Sequence, residues 1–390
     1  MKIVHVITRL ILGGAQENTL LTVEGLHHRY HDDVTLITGP AEGPEGDLFQ
    51  RAEDQGLKVE VMPELVRAVR PATDLRAYRK LREAFRRLKP DVVHTHSSKA
   101  GIVGRAAAWR EDAPAVVHTI HGLPFGPFES ASRNALYIAL ERWAAKRCHA
   151  IVSVCDAMTE QALAAGVGRP EQFTTVYSGM DADAFLNPPR PREEIRRELG
   201  LADDQVAFAT VARLFELKGH DDIVAVAPAI LRANPNVRFV WIGDGILRDQ
   251  LIADLEAQGI RDAFILTGLV PPGRIPELLG AVDAVIHPSL REGLARVLPQ
   301  ALLTGRPAIS YDVDGAREVV TPETGVLLKP RDLPGLTEAV LRLAADPGLR
   351  DAMGREGRRR FADQFRHETM TSQLRSLYER LLAERGALRG

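Results

Sequence analysis

The sequence predicts an α/β protein made of two Rossmann-like βαβ halves. Three observations predict it. Short apolar runs alternate with longer stretches of helical period along the chain. The alternation stops at a proline-rich stretch, Asn187-Pro188-Pro189-Arg190-Pro191, and then restarts. A length of 390 residues is long for one domain and suits two.

Composition narrows the class. Hydrophobic residues at 45% and charged residues at 26% are those of an ordinary globular protein. The formal net charge of −2 names no partner, and no nucleic-acid partner is expected. Cys148 and Cys155 make no disulfide framework and no zinc spacing, and they suit a reducing compartment. The opening apolar run is too short for a signal peptide or a membrane span, so a cytoplasmic protein is expected.

Residues 3–7 form the first strand and lead into Leu12-Gly13-Gly14-Ala15. Leu20, Leu21, Val23 and Leu26 then recur at helical spacing. Strand, glycine loop and helix begin a Rossmann-like unit, whose ligands sit beyond the strand ends. The loop lacks G-x-G-x-x-G, which disfavours a nicotinamide oxidoreductase. Gly13 and Gly14 permit close approach of backbone to a ligand, or simply a tight turn. Strands follow at 34–37 and 59–61, separated by a loop at 39–47 and a helix at 49–55.

Residues 61–90 hold nine Lys or Arg against three acids. Leu75, Tyr78, Leu81, Phe85 and Leu88 recur at helical spacing, so the basic residues take the other face. Within 67–89 that face reads as a solvated surface or as one that meets anionic lipid headgroups.

A strand at 90–96 ends in His94-Thr95-His96, and one at 115–120 ends before His121-Gly122. A histidine at a strand's carboxyl end, before a glycine, is placed for site chemistry. His94, His96 and His118 match no helix-borne zinc motif, and hydrogen-bonding roles are expected. A helix at 130–148, strands at 150–155 and 173–177, and Ser178-Gly179-Met180-Asp181 close the first half.

In the second half, a strand at 206–211 closes on Arg213, with Lys218-Gly219 beyond it. A planar guanidinium and a point charge suit a diphosphate. A strand at 237–242 ends in Gly243-Asp244-Gly245, and one at 264–266 runs through Gly268-Leu269 to Val270. Residues 284–286 lead through His287-Pro288-Ser289 into a turn with Glu292, Gly293 and Leu294, read as opening directly into a helix. Free N–H groups at a helix start favour an anion, and Glu292 would accept hydrogen bonds from hydroxyls. Together they suit a nucleotide sugar, although an acidic helix start on a surface loop reads the same way. Strands at 307–311 and 325–328 and helices at 336–345 and 349–365 follow. The expected division is 1–185, a linker at 186–194, 195–366, and a last helix in 367–390 that packs back on the first domain.

Seven motifs in order resemble glycosyltransferase family 4, retaining enzymes of the group 1 type with the GT-B fold. They are Gly13-Gly14-Ala15, His121-Gly122, Ser178-Gly179-Met180-Asp181, Arg213 with Lys218-Gly219, Gly243-Asp244-Gly245, Pro288-Ser289 with Glu292-Gly293, and Asp314-Gly315 with Glu318. The resemblance implies two domains facing a central cleft, with the nucleotide sugar held by the second. It implies Arg213 and Lys218 on the diphosphate, Glu292 on donor hydroxyls, and Gly293 and Leu294 as backbone donors. Gly13 and Gly14 would close over the phosphates, and Gly243, Val270 and Gln300 would complete the donor site. His121 would lie beside donor sugar and acceptor as a catalytic group with Glu292. Gln300 stands where the family has a glutamate, and Ser178 where it has Asn. Asp312-Val313-Asp314 spells a metal-binding D-x-D but falls in the loop before Gly315, and no essential metal is expected.

The implied reaction moves a hexosyl group from a UDP- or GDP-sugar to a hydroxyl of a glycan or lipid-linked glycan, with retention. Polysaccharide or glycolipid synthesis at the inner membrane face is the setting the resemblance implies. A nucleotide-sugar epimerase and a non-transferring sugar- or lipid-binding scaffold are the alternatives on the same fold.

Overall fold

The computed structural model describes residues 1–41 and 46–386. Residues 42–45 of the expected 39–47 loop lie outside the described residues. The chain forms two compact units, Met1–Met180 with Arg366–Gly390, and Asp181–Phe365.

The first unit holds β1 (Lys2–Ile7), β2 (Asp33–Thr38), β3 (Lys58–Val61), β4 (Val92–His96), β5 (Ala115–Ile120), β6 (Ala150–Ser153) and β7 (Phe173–Thr175). They form one sheet in the order β3-β2-β1-β4-β5-β6-β7, and every pair is parallel. Every residue of β4 and β5 is buried. That is the pattern of parallel strands covered by helices on both faces. The strand order reverses between β1 and β4, which is the topological switch point.

The helix His367–Glu384 belongs to this first unit. Its Met370, Leu374, Leu377 and Tyr378 share a core with Leu20, Leu21 and Leu26 of the helix Gly14–Tyr30. Asp32 receives both the Met1 ammonium, at 2.7 Å, and Arg375, at 3.1 Å. Here Ser178-Gly179-Met180 has a structural task. A Cβ on Gly179 would stand 2.5 Å from His367 Cα, and the His367 N–H donates to the Met180 carbonyl at 3.1 Å. The strand-end turn thus lies directly against the returning chain.

The second unit holds β8 (Val206–Val211), β9 (Val237–Ile242), β10 (Phe264–Gly268), β11 (Ala284–His287), β12 (Ala308–Tyr311) and β13 (Gly325–Leu328). Their order is β10-β9-β8-β11-β12-β13, again with every pair parallel. Its core centres on Phe208, Phe239, Trp241 and Phe264. The switch point lies between β8 and β11.

Two sequence expectations change. The proline-rich stretch lies inside the second unit, and the boundary falls at 180/181. Arg358 donates to the Leu186 carbonyl at 2.6 Å, and Arg190 pairs with Glu194 and Glu198. The second change is that the helix after β11 begins only at Val297 and ends at Leu303. Glu292, Gly293 and Leu294 therefore sit in an irregular loop ahead of the helix. Their N–H groups are not its first turn, so the expected helix-dipole site at Glu292 is not formed.

Candidate active site

At the switch point of the second unit the loops after β8 and β11 lie side by side. Pairing of Ala284 with Phe208 and Val285 with Ala209 aligns the two strands. The loops are stitched together by backbone. The Leu290 N–H donates to the Leu217 carbonyl at 2.8 Å, and the Ser289 hydroxyl donates to the same carbonyl at 3.2 Å. Gly219 lies at φ +75°, and a Cβ there would stand 2.1 Å from the Pro288 carbonyl oxygen. Only glycine lets these loops approach so closely.

That approach brings Lys218, His287 and Glu292 together. Lys218 Nζ lies 2.5 Å and His287 Nε2 3.2 Å from Glu292 Oε1. Burial alone raises the Glu292 carboxyl pKa. The Lys218 charge and the His287 hydrogen bond outweigh burial and hold it well below the usual carboxylate range. Glu292 is therefore ionised at neutral pH. Its side chain remains 20% exposed and that of Lys218 22%, so both stay within reach of a ligand.

The loop is held from beneath by the D-x-D segment. Asp314 Oδ2 accepts the Glu292 N–H at 2.8 Å, and the Gly315 N–H donates to the Gly293 carbonyl at 3.0 Å. Asp312 pairs with Arg317 at 2.7 Å. Both aspartates thus have structural partners.

Arg213 lies past the end of β8, with its guanidinium carbon 4.8 Å from the Phe215 ring centroid. Gly243 ends β9 at φ +138°, where a Cβ would stand 2.2 Å from the Ala212 carbonyl oxygen. Its N–H donates to the Gly268 carbonyl at 3.0 Å, which draws the ends of β8, β9 and β10 together. Val270 follows that junction. Gln300 is half-buried on the helix Val297–Leu303.

In the first unit, Gly13 precedes the helix Gly14–Tyr30, which no side chain caps at its start. Gly13 is extended, at φ 174°, so its backbone angle does not demand glycine. His121 follows β5, and its Nε2 lies 3.1 Å from His96 Nδ1. His5 Nδ1 in turn lies 2.9 Å from His96 Nε2. His94 sits between the Tyr378 hydroxyl, at 2.5 Å, and Thr119 Oγ1, at 2.7 Å. The expected hydrogen-bonding roles of His94 and His96 are what these contacts show.

Sequence reasoning missed His287 and His5. For His287 the signal was its place as the last residue of β11, close before Glu292. For His5 there was no local signal, because its partners come from β4.

Known proteins place this architecture. Both units are Rossmann-like, and the whole is the GT-B fold. The Anabaena Alr3699/HepE protein, solved with UDP-glucose, matches with a TM-score of 0.81 at 20% identity, covering 97% of this chain and 100% of that one. A sucrose-phosphate synthase of Thermosynechococcus elongatus matches at 0.82 and 20%, covering 98% and 100%. The model of the glycosyl transferase 4-like domain matches residues 13–179, and that of the glycosyl transferases group 1 matches 191–360. The chain belongs to the group 1 glycosyltransferases. A relative from Escherichia coli, UDP-Gal:alpha-D-GlcNAc-diphosphoundecaprenol alpha-1,3-galactosyltransferase, is 28% identical over 97% of this chain and 96% of its own. The 2-deoxystreptamine glucosyltransferase of Streptomyces kanamyceticus is 28% identical over 77% and 80%. Among the described residues, no helix is long and apolar enough to cross a membrane.

Proposed function

We propose that this glycosyltransferase moves a hexosyl group, with retention, from a uridine diphosphate sugar to a hydroxyl of a lipid-diphosphate-linked glycan in polysaccharide or glycolipid synthesis. The observation that carries the reading is the Lys218–Glu292–His287 group at the switch point of the second unit. A ligand with phosphates and hydroxyls matches a cation and an ionised carboxylate held side by side. The E. coli relative, similar along nearly the whole chain, supports the uridine nucleotide and the lipid-linked acceptor.

Lys218 and Arg213 take the diphosphate, whose oxygens compete with Glu292 for Lys218. Glu292, freed on one side and still held by His287, accepts from donor-sugar hydroxyls. Gly293, Leu294, Gly243 and Val270 shape the pocket, and Gln300 binds the ribose without a charge. In the first unit, Gly13, Gly14 and His121 stand at strand ends, the edge where a Rossmann-like unit presents its ligand-binding loops. The bond from anomeric carbon to phosphate oxygen breaks as the acceptor oxygen bonds to the same face of that carbon. The acceptor proton passes to the leaving phosphate. Fixed cationic donors stabilise the growing negative charge without a metal.

Calorimetric titration with UDP, GDP and ADP, with and without EDTA, tests the donor site. Saturable binding of UDP alone, unchanged by EDTA, is expected. Turnover of UDP-sugar that does not need an acceptor would favour an epimerase, and no binding would favour a scaffold.

Contact with an anionic membrane face completes the reading, with a revised surface. The basic helix Pro71–Leu88 is partly neutralised by its neighbours. Arg82 and Arg86 pair with Glu111, Arg87 with Glu60, and Lys80 with Glu64. Beside it, Trp109 and Trp143, each 41% exposed, border a pocket of about 620 Å³ with Arg110 and Arg147. Aromatic rings next to arginines suit the headgroup level of a bilayer. Replacing both tryptophans with Ala should abolish sedimentation with anionic vesicles. Unchanged sedimentation would remove this contact.

A further inference from the structure

Three histidines from separate segments stand in one line. His5 comes from β1, His96 from the end of β4, and His121 from the loop after β5. The contacts at 2.9 Å and 3.1 Å join them nitrogen to nitrogen. His5 and His96 are fully buried. Burial holds both far below the usual histidine pKa, His5 at about 3. Both rings are therefore neutral at physiological pH, and each carries one proton.

A line of this kind runs in one of two directions. In the first, His121 Nε2–H donates to His96, His96 Nε2–H donates to His5, and the line ends in an N–H at His5 Nε2. In the second, His5 Nδ1–H donates to His96 Nε2, and His96 Nδ1–H donates to His121 Nε2. The line then begins with a bare lone pair at His5 Nε2. That atom is buried and meets no hydrogen-bond partner among the described residues. A buried N–H without a partner is rarer than a buried acceptor without one, which favours the second direction. His94 does not reverse it. Its ring lies 4.3 Å from that of His96, but its nitrogens face Tyr378 and Thr119.

We propose that His5 and His96 are positioning residues that fix His121 as the tautomer protonated at Nδ1. Nδ1 of His121 then carries the proton, so it is a donor and not a base. The protein thereby sets the chemistry of its strand-end histidine from two strands away. The kinetic consequence rests on the transferase reading, whereas the tautomer does not.

The test is long-range proton–nitrogen spectroscopy of the full chain labelled with 15N-histidine, with His121→Gln to assign the ring. In the wild type, Nδ1 of His121 should appear protonated and Nε2 unprotonated. His5→Asn, whose amide replaces the Nδ1–H donor, should keep that pattern. His5→Leu, which removes the donor, should shift His121 toward the Nε2–H form. It should also lower kcat by about tenfold with donor KM within about twofold, while His5→Asn recovers kcat to within about threefold. An unprotonated Nδ1 in the wild type overturns the proposal, and that spectrum needs no variant to fold. An unchanged His121 pattern in folded His5→Leu also overturns it. Ring signals of His5, His94 and His96 that move on EDTA treatment would assign the cluster to a metal and overturn it as well. The expected tautomers in a wild type that turns over no sugar would sink the transferase reading and leave the histidine line standing.

Discussion

The two units share a topology but furnish their switch points in opposite ways. In the first unit the crevice between β1 and β4 is backed by neutral imidazoles with His5, His94 and His96 fully buried. In the second, the crevice between β8 and β11 carries Lys218 and an ionised Glu292, each about a fifth exposed. The difference follows from the cost of burying charge. Groups that lie deep in the sheet are neutral and joined by hydrogen bonds. Groups that keep a charge sit in loops that reach solvent. The first arrangement suits orientation of a ligand, and the second suits neutralising one.

The comparison breaks most visibly at Glu292. Glu292→Ala should lower kcat by about 10²- to 10³-fold, as loss of a preorganised charged group does. Stability should change by less than about 1 kcal/mol, because the Lys218 pair is part-exposed. Steady-state turnover and urea unfolding check both parts. A large loss of stability would make Glu292 a structural residue like His94.

His94→Ala should show the reverse signature. It removes the bonds to Tyr378 and Thr119 and leaves a cavity, costing about 3 kcal/mol. Urea unfolding followed by hydrogen exchange in β4 and β5 would measure it. A silent substitution would mean the histidine ladder is dispensable.

Gly219→Ala and Gly13→Ala sharpen the contrast between the two glycine loops. The first meets the Pro288 carbonyl at a positive φ and should cost about 2 kcal/mol, with weaker UDP binding. The second has an extended backbone and meets only the flexible end of Gln16, so its stability should stay within about 0.5 kcal/mol. Thermal melting and UDP titration of both variants decide it.

Acid should weaken the first unit more than the second, because burial depresses His5, His94, His96 and His118 there, against His220 in the second. His5 is neutral in the fold, at about 3, whereas an unfolded histidine titrates near 6.5. Below about pH 6.5 the unfolded chain binds more protons, so stability falls as pH falls, and it continues to fall until His5 titrates in the fold. At about pH 5.5 this one group costs roughly 1 kcal/mol. The Glu292 carboxylate, depressed by Lys218 and His287, keeps its contribution through that range. Denaturation midpoints from pH 8 down to about 5 should drop in the wild type and less in His5→Asn. The smallest effect is expected from Gln300→Glu, a gain of a few-fold in UDP affinity if a carboxylate is the better ribose acceptor.

Much of this was legible in the sequence. Apolar runs marked the strands, because parallel strands buried on both faces are largely apolar. Strand ends then marked Arg213, Lys218, His121 and Glu292, because a βα unit leaves its loops at that edge. Other features were not legible. The proline-rich stretch reads as a linker, yet Arg358, distant in sequence, fastens it to the second unit. A carboxylate and glycine after β11 read as a helix start, yet Asp314 holds that loop in an irregular form.

The sequence by itself determined the two α/β halves and which residue types stand at their strand ends, because periodicity and turn chemistry are local. Tertiary structure alone decided which of those residues meet. Lys218 reaches Glu292, and His5 reaches His96, only because strand order reverses between β8 and β11 and between β1 and β4. Strand order is set by packing among distant segments, and no local run of residues encodes it.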